Sequence, residues 1–287
     1  MKFLAIGDIL EANAIDNLLS LDLRNYAFLI LTGDMSGSSE GWKIGKARAL
    51  DDKDFIPKGE DPKRYYKKLL KPSIEKLKKV DKQLGKIQKY LKIFAVYGNT
   101  DFKSVVEQVK PRNFTVLHNK ISKTNGLYLV GYNGHPMYPW EIAKPRKKDI
   151  FGFTYTETVK ELNSFLEEQI YDDLKEATKN LPHGRVIILT HTPPYKILDK
   201  VNREFIPWAI KSYGEIAKEG NIGSTGLRKF LLEFKPLLHI FGHVHEAKGI
   251  NKINGTTFVN VGCFNEKLEF VEVEVNKSTE IRFIQIK

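Results

Sequence analysis

Gly242-His243-Val244-His245 sets two imidazoles one residue apart behind a glycine, a spacing that lets each histidine serve one of two neighbouring metal ions. Asp8, Gly33-Asp34, Gly98-Asn99-Thr100-Asp101 and Thr190-His191 precede it, and each closes an apolar run that reads as a buried strand. Five strand ends therefore carry oxygen and nitrogen ligands. A pair of divalent ions about 3.5–4 Å apart needs a bridging carboxylate, terminal donors, and open positions for a hydroxide and substrate oxygens. Asp34 suits the bridge, with a glycine before it for a tight turn, and Asn99 adds an amide oxygen without further negative charge. His191, His243 and His245 complete the set. Such donors are compatible with manganese, iron, zinc, cobalt or nickel.

Periodicity shows which elements must position these groups. Lys2 to Ile6 is a short apolar strand, Ile15 to Leu19 begins a helix, and Ala27 to Thr32 is a second strand. In an open parallel sheet the loops at the carboxyl ends of the strands share one crevice, so Asp8 and Asp34 can meet there. Residues 41–71 are polar; their first half reads as a loop, and RYYKKLLK after Pro62 can start a helix. From Pro72 onward, Ile74, Leu77, Val80, Leu84, Ile87 and Leu91 line one helix face as core contact. Ile93 to Tyr97 is the third strand, delivering Asn99. Residues 114–131 read as two strands and a loop, and Thr158 to Lys179 has helical periodicity. Strands Val186 to Leu189 and Leu237 to Phe241 flank a helix over Leu227 to Phe234, capped by Ser224 or Thr225. Thr256 to Val261 and Leu268 to Lys287 read as antiparallel strands with a turn at Asn276-Lys277-Ser278.

The 287 residues, 41% of them hydrophobic, suit a single domain over 1–287 with a basic helical insertion at about 41–92. The only cysteine, Cys263, excludes an intramolecular disulfide and a thiolate-built zinc site, and with no apolar run of the roughly 20 residues a bilayer needs it points to the cytoplasm. No membrane partner is expected, and the oligomeric state is open. Of the net charge of +11, residues 41–92 hold +10, from 17 Lys or Arg against 7 Asp or Glu. That segment reads either as a solvated lysine-rich face or as a surface for an anionic partner, nucleic acid included. Tyr65, Tyr66, Tyr90 and Tyr97, interleaved with its lysines, fit base stacking on a single strand or core-facing aromatics.

The ordered ligand set resembles the calcineurin-like metallophosphoesterase superfamily, whose blocks read D-x-H, G-D-x-x-D, G-N-H-D, H and G-H-x-H or variants of these. THTPPY at 190–195, Gly223-Ser224, FGHVHEAKG at 241–249 and NVG at 260–262 look like its prokaryotic and archaeal branch, related to cyclic-nucleotide phosphodiesterase. The resemblance implies an α/β fold, a four-layer αββα sandwich of two mixed β-sheets flanked by helices, with a two-metal site at one edge. It implies that Asp8, Asp34 and His245 bind the first divalent ion and that Asp34, Asn99, His191 and His243 bind the second. Asp34, Asn99 and His191 become the expected catalytic residues in hydrolysis by in-line attack of a metal-bridging hydroxide on phosphorus.

Two departures from the family blocks stand out. Leu10 occupies the place of the first block's histidine and cannot ligate, leaving neighbouring Glu11 as either a replacement ligand or a surface residue. Thr100 replaces the histidine that follows the asparagine, so a general acid worth about 10²- to 10⁴-fold is lost to alkoxide leaving groups. Phosphodiesters are accordingly expected ahead of phosphomonoesters, with Asp101 in a local hydrogen-bonding role. His135, in a glycine-rich loop, is a candidate substrate-binding residue and substitute proton donor, or else a loop histidine bonded to backbone. Tyr138-Pro139-Trp140 reads as a rigid aromatic corner, and His118, His183 and His239 look structural. The expected activity is a binuclear metal-dependent phosphodiesterase acting on a phosphoester, a nucleotide or nucleic acid among the candidates. The alternatives are a degenerate binding module signalled by Leu10, and a nuclease or nucleic-acid-binding phosphoesterase using the 41–92 segment.

Overall fold

In the first of two mixed sheets the strands lie in the order β14 (Thr279–Gln285), β13 (Glu269–Val275), β1 (Lys2–Ile6), β2 (Phe28–Leu31), β3 (Lys92–Ala95) and β4 (Thr115–Val116). The second holds β11 (Gly249–Ile253), β12 (Thr256–Asn260), β10 (Leu238–Phe241), β9 (Val186–Thr190), β6 (Leu127–Tyr132) and β5 (Lys120–Thr124). A short parallel pair, β7 (His135–Pro136) and β8 (Ser164–Phe165), lies apart from both. The computed structural model describes residues 1–137, 148–276 and 278–286. Tyr138-Pro139-Trp140 and Lys277 therefore lie outside the described residues.

Alternation along each strand sorts side chains into layers. Phe3 and Ala5 of β1 face the second sheet, together with Phe28, Ile30, Leu129, Ile187, Ile240 and Val271. Leu4 and Ile6 face the other way, into a core shared with the helices α1 (Ser39–Leu50), α2 (Pro62–Leu69), α3 (Lys71–Ile87) and α4 (Lys103–Val109). On the far side of the second sheet, α6 (Glu167–Thr178) and α8 (Thr225–Phe234) cover Val130, Val186, Ile188 and Phe258. Helix, sheet, sheet and helix make four layers, as the resemblance implies. Among the described residues no helix is long and apolar enough to cross a membrane.

Register decides where the chemistry falls. Ile6 of β1 pairs with Leu31 of β2, which pairs with Ala95 of β3, all three strands parallel. In the second sheet, Leu189 of β9 pairs in parallel with Ile240 of β10. Each strand thus ends level with its neighbours, and within four residues the chain delivers Asp8, Asp34, Asn99, His191 and His243 at one edge of the sandwich.

Three sequence readings need correction. Residues 41–50, read as loop, belong to α1, because Ser38 accepts a hydrogen bond from Gly41 N and starts the helix without an apolar stripe. The helix expected from Thr158 is interrupted: α5 (Tyr155–Glu161) ends, Asn163 turns the backbone at φ 50°, and β8 intervenes before α6. The first crossover is a 3₁₀ helix over Ala12–Ser20.

The α1 face escaped the pattern because a charged residue takes the place of an apolar one. Arg48 is 1% exposed, pairs with Asp149 at 2.9 Å, and lies 4.8–5.3 Å from the ring centres of Tyr66, Phe151 and Phe153. A planar guanidinium can stack on rings while its edge pairs with a carboxylate, which an aliphatic side chain cannot do. Arg48→Ala is expected to leave Asp149 buried without its cation and to lower the unfolding free energy by about 3 kcal/mol. The urea midpoint measures this, and an unchanged midpoint would rule out the pair as an anchor of α1.

Candidate metal centre

Three of the expected ligands sit in a backbone conformation that side chains rarely adopt. Asp8 (φ 48°), Asp34 (φ 53°) and His243 (φ 73°) are all left-handed, at the ends of β1, β2 and β10. Such strain persists only where the surroundings over-determine it. Here they do: Asp8 N donates to Gly33 O at 3.2 Å, Gly242 N to His191 O at 3.1 Å, and His243 N to Asp8 Oδ2 at 3.2 Å. The last bond joins the two sheets. Gly98 is required for clearance, since a Cβ there would overlap the Asp34 carboxylate. A Cβ on Gly33, itself at φ 106°, would fall 2.6 Å from Gly98 N and 2.9 Å from His191 Nδ1.

Around His191 the hydrogen-bond chemistry does not close by itself. Its Nδ1 lies 2.9 Å from Thr32 O, a carbonyl that only accepts, so Nδ1 carries a proton and Nε2 points the other way. That nitrogen faces Asn99 Oδ1 at 2.8 Å, His243 Nδ1 at 3.1 Å and Asp34 Oδ1 at 3.5 Å. Four potential ligand atoms converge, an arrangement that positive charge satisfies, supplied by a metal ion or by a second proton on His191. Two imidazole nitrogens on one ion, each about 2.0–2.1 Å from it, are about 2.9–3.4 Å apart at octahedral to tetrahedral angles, which the His191 to His243 separation matches. Ligand atoms of Asp8, Asp34 and His191 also lie within 4.8 Å of one another. The donor set fits divalent ions of the kinds named above.

Electrostatics agrees with that reading. Burial pushes the His191 pKa down, yet the carboxylates of Asp34 and Asp8 outweigh it and raise it. Burial likewise opposes protonation of His245, but its contact with Asp8 drives the pKa up to about 9. His243 goes the other way, held well below the ordinary value by burial and by neighbouring His191. The edge of the sandwich attracts positive charge.

Each histidine has its second ring nitrogen fixed, the arrangement that orients imidazoles around metals. Thr32 O holds His191, the Tyr213 hydroxyl lies 3.2 Å from His243 Nε2, and Glu266 Oε1 lies 3.4 Å from His245 Nδ1 while Asp8 Oδ1 is 3.1 Å from its Nε2. Tyr213 and Glu266 escaped the sequence reading because no motif spacing marks them. Leu10 is 54% exposed, and Glu11 lines a separate groove with Asn13, Glu75 and Lys79, which makes it the surface residue of the two readings. Ligand atoms of His245, Cys263 and Glu266 also come within 4.8 Å of one another. The buried Cys263 thiol donates to Asp8 O at 3.1 Å, and burial pushes its pKa up to about 11, so it stays protonated.

The remaining candidates take other places. Asp101 is buried and ties two ligand loops together, accepting from Ser36 N at 2.7 Å and from Gly98 N at 2.9 Å. His135 is 2% exposed, with Nδ1 2.7 Å from Pro136 O and Nε2 3.3 Å from Ser164 Oγ. Burial lowers its pKa to about 4, so the ring is neutral near pH 7, and the Nδ1 contact with Pro136 O matches the reading of a loop histidine bonded to backbone. It lines a recess beside Asn99 and Thr100. His239 is buried on the helix-covered face of the second sheet, with Nε2 2.8 Å from Thr190 Oγ1, His118 accepts from Asn133 N at 3.1 Å, and His183 stacks near Phe234. Tyr66 and Tyr97 are core residues and Tyr65 packs against the core, which leaves Tyr90 alone exposed and removes the stacking row from the basic segment.

A cleft of about 540 Å³ opens over the ligands, lined by Asp8, Asp34, Asn99, His243 and His245 below and by Trp42, Phe205 and Trp208 above.

A family model described as calcineurin-like phosphoesterase matches residues 1–247. An uncharacterised protein of Methanocaldococcus jannaschii is 24% identical over 183 residues, 63% of this chain and 68% of that protein. Human metallophosphoesterase domain-containing protein 1 is 32% identical over 87 residues, 30% of this chain and 23% of its own length. A dimetal phosphatase from Danio rerio superposes with a TM-score of 0.56 at 13% identity, covering 100% of this chain and 99% of that one.

Two substitutions separate clearance from coordination. Gly98→Ala is expected to displace Asp34 and reduce affinity for Mn²⁺ by about 100-fold or more, whereas Glu266→Gln, which weakens only the support of His245, should cost about 10-fold. Isothermal titration of metal-stripped protein reads both, and wild-type affinity in Gly98→Ala would refute the clearance argument.

Proposed function

The chain belongs to the calcineurin-like phosphoesterase family, and from that membership we propose that it is a binuclear metal-dependent phosphoesterase that prefers phosphodiesters to phosphomonoesters. The observation that carries the reading is the convergence of Asp34, Asn99 and His243 on His191 Nε2, four potential ligand atoms from both sheets gathered within 3.5 Å of that nitrogen. Divalent ions bound there acidify a water and neutralise charge on the phosphoryl oxygens.

The chain's own residues set the conditions for that chemistry. Asp8 and His245 would hold the first ion, Asn99, His191 and His243 the second, with Asp34 shared between them. Thr100 N donates to Asp34 Oδ1 at 3.0 Å and fixes the carboxylate against rotation. Thr32 O and the Tyr213 hydroxyl hold the outer ring nitrogens of His191 and His243 and so turn the other nitrogen of each ring inward. Asn99, which lines the floor of the cleft, also reaches the phosphoryl group in this reading.

Substrate preference follows from what is lacking at the leaving oxygen. Thr100 cannot protonate it near neutral pH, and His135 is neutral, buried and bonded elsewhere. Alkoxide departure is left without help worth about 10²- to 10⁴-fold, while phenolates and other stabilised leaving groups lose less. A diester leaves one fewer negative charge to approach, which favours attack by a hydroxide.

Manganese-supplemented protein is expected to hydrolyse bis-p-nitrophenyl phosphate at least about ten times faster than p-nitrophenyl phosphate. Faster cleavage of the monoester would overturn the preference. Asp34→Ala and His243→Ala should each lose more than about 100-fold in kcat, and wild-type rates in either would end the ligand assignment. Two ions per chain by elemental analysis support the enzyme. None or one, with no turnover of any ester, would make the protein a binding module instead.

A further inference from the structure

Two tryptophans stand over the metal centre, Trp42 largely in solvent and Trp208 packed on one side against Tyr213. Trp42 is 54% exposed in the first turn of α1, and Trp208 is half-buried in the first turn of α7 (Ile206–Tyr213), whose backbone Pro207 fixes. An indole left in water forgoes the burial that would stabilise it, so a pair of them beside a catalytic cleft marks a surface awaiting a partner. Phe205, 48% exposed, adds a third ring at the rim.

Position narrows the partner to a small molecule. Trp42 and Trp208 line both the 540 Å³ cleft above the ligands and a recess of about 60 Å³ behind it, so the space between them runs from solvent to Asn99 and Thr100. The cleft volume lies within the range of about 300–1,000 Å³ that small ligands occupy. Flat walls select a flat occupant.

Charge completes the pattern. Lys46 follows Trp42 by one turn, with its ammonium 5.4 Å from that ring centre, and Lys211 follows Trp208 by one turn on α7. Both lysines face the cleft, with Glu246 as a carboxylate at its rim. Each helix therefore brings an indole and an ammonium to the same space, a combination that takes an aromatic group together with an anion.

We propose that this slot is a binding subsite for a heteroaromatic ring of nucleobase type, making the substrates phosphoesters that carry such a ring, with Trp42 and Trp208 as its walls and Lys46 and Lys211 receiving a further anionic group. The inference rests on the phosphoesterase reading for its orientation, with the phosphorus over the metal centre and the ring between the helices. It does not require turnover to be seen.

The test is stopped-flow quenching of tryptophan emission in the manganese-loaded full chain, with adenosine monophosphate and ribose 5-phosphate as probes. The nucleotide is expected to bind about tenfold more tightly and to quench; Trp42→Ala should remove about that factor while ribose 5-phosphate changes by less than about threefold. Trp208→Leu should act in the same direction. Equal affinity for the two probes, or equal losses for both in Trp42→Ala, would overturn the subsite. So would a wild-type dimer that Trp42→Ala dissociates in sedimentation, since the indoles would then be a subunit contact. Ester hydrolysis without nucleotide selectivity rejects the slot alone, whereas nucleotide quenching without hydrolysis of any ester rejects the phosphoesterase reading and leaves the slot standing.

Discussion

Potential ligand atoms from both sheets face one another at the carboxyl edge of the sandwich, and the fold holds them there. His191 is the centre of this constraint, because Thr32 O holds its Nδ1 and turns Nε2 toward Asn99, Asp34 and His243. The two left-handed aspartates, the bare Gly98 and the buried Asp101 are all ways of keeping oxygens close that would otherwise relax apart. Removing a buried acceptor's partner normally costs a folded protein about 1–3 kcal/mol. A protein that gathers several such acceptors in one place is built to receive charge from outside.

Phosphoryl chemistry and ring recognition occupy different layers of the same opening. The metal centre grows from strand ends, where backbone register fixes each donor. The aromatic walls grow from the first turns of α1 and α7, elements attached to the sheets but not part of them. A link exists between the two: Trp208 packs edge-on against Tyr213 at 5.9 Å, and the Tyr213 hydroxyl holds His243. The wall and His243 thus share one tyrosine.

Most of the sandwich and its edge could be read from the chain, for a physical reason. Buried parallel strands are continuous apolar runs, and the residue that ends each run must lie at the carboxyl edge. What could not be read depended on distance in sequence. Glu266 supports His245 from 21 positions away, Tyr213 supports His243 from 30, and neither spacing belongs to any periodic element. Arg48 hid α1 by being a charged core residue, since its fitness for the core depends on Tyr66, Phe151 and Phe153 being there to meet it. Trp42 fell in that same misread segment, so its place beside Trp208 was invisible until α1 was seen to be a helix. His135 shows the reverse: a suggestive glycine-rich loop put a histidine near the cleft, but burial decided its protonation.

The donors are spread along the chain from Asp8 to His245, with the first sheet supplying the early ones and the second sheet the late ones. During synthesis, Asp8, Asp34 and Asn99 emerge long before His191, His243 and His245. A nascent chain therefore presents the oxygen donors of this edge before any of its imidazoles, and it holds transition ions only weakly until β9 and β10 have been made and docked. The order of residues along the polypeptide thus withholds the nitrogen donors until the second sheet has begun to form.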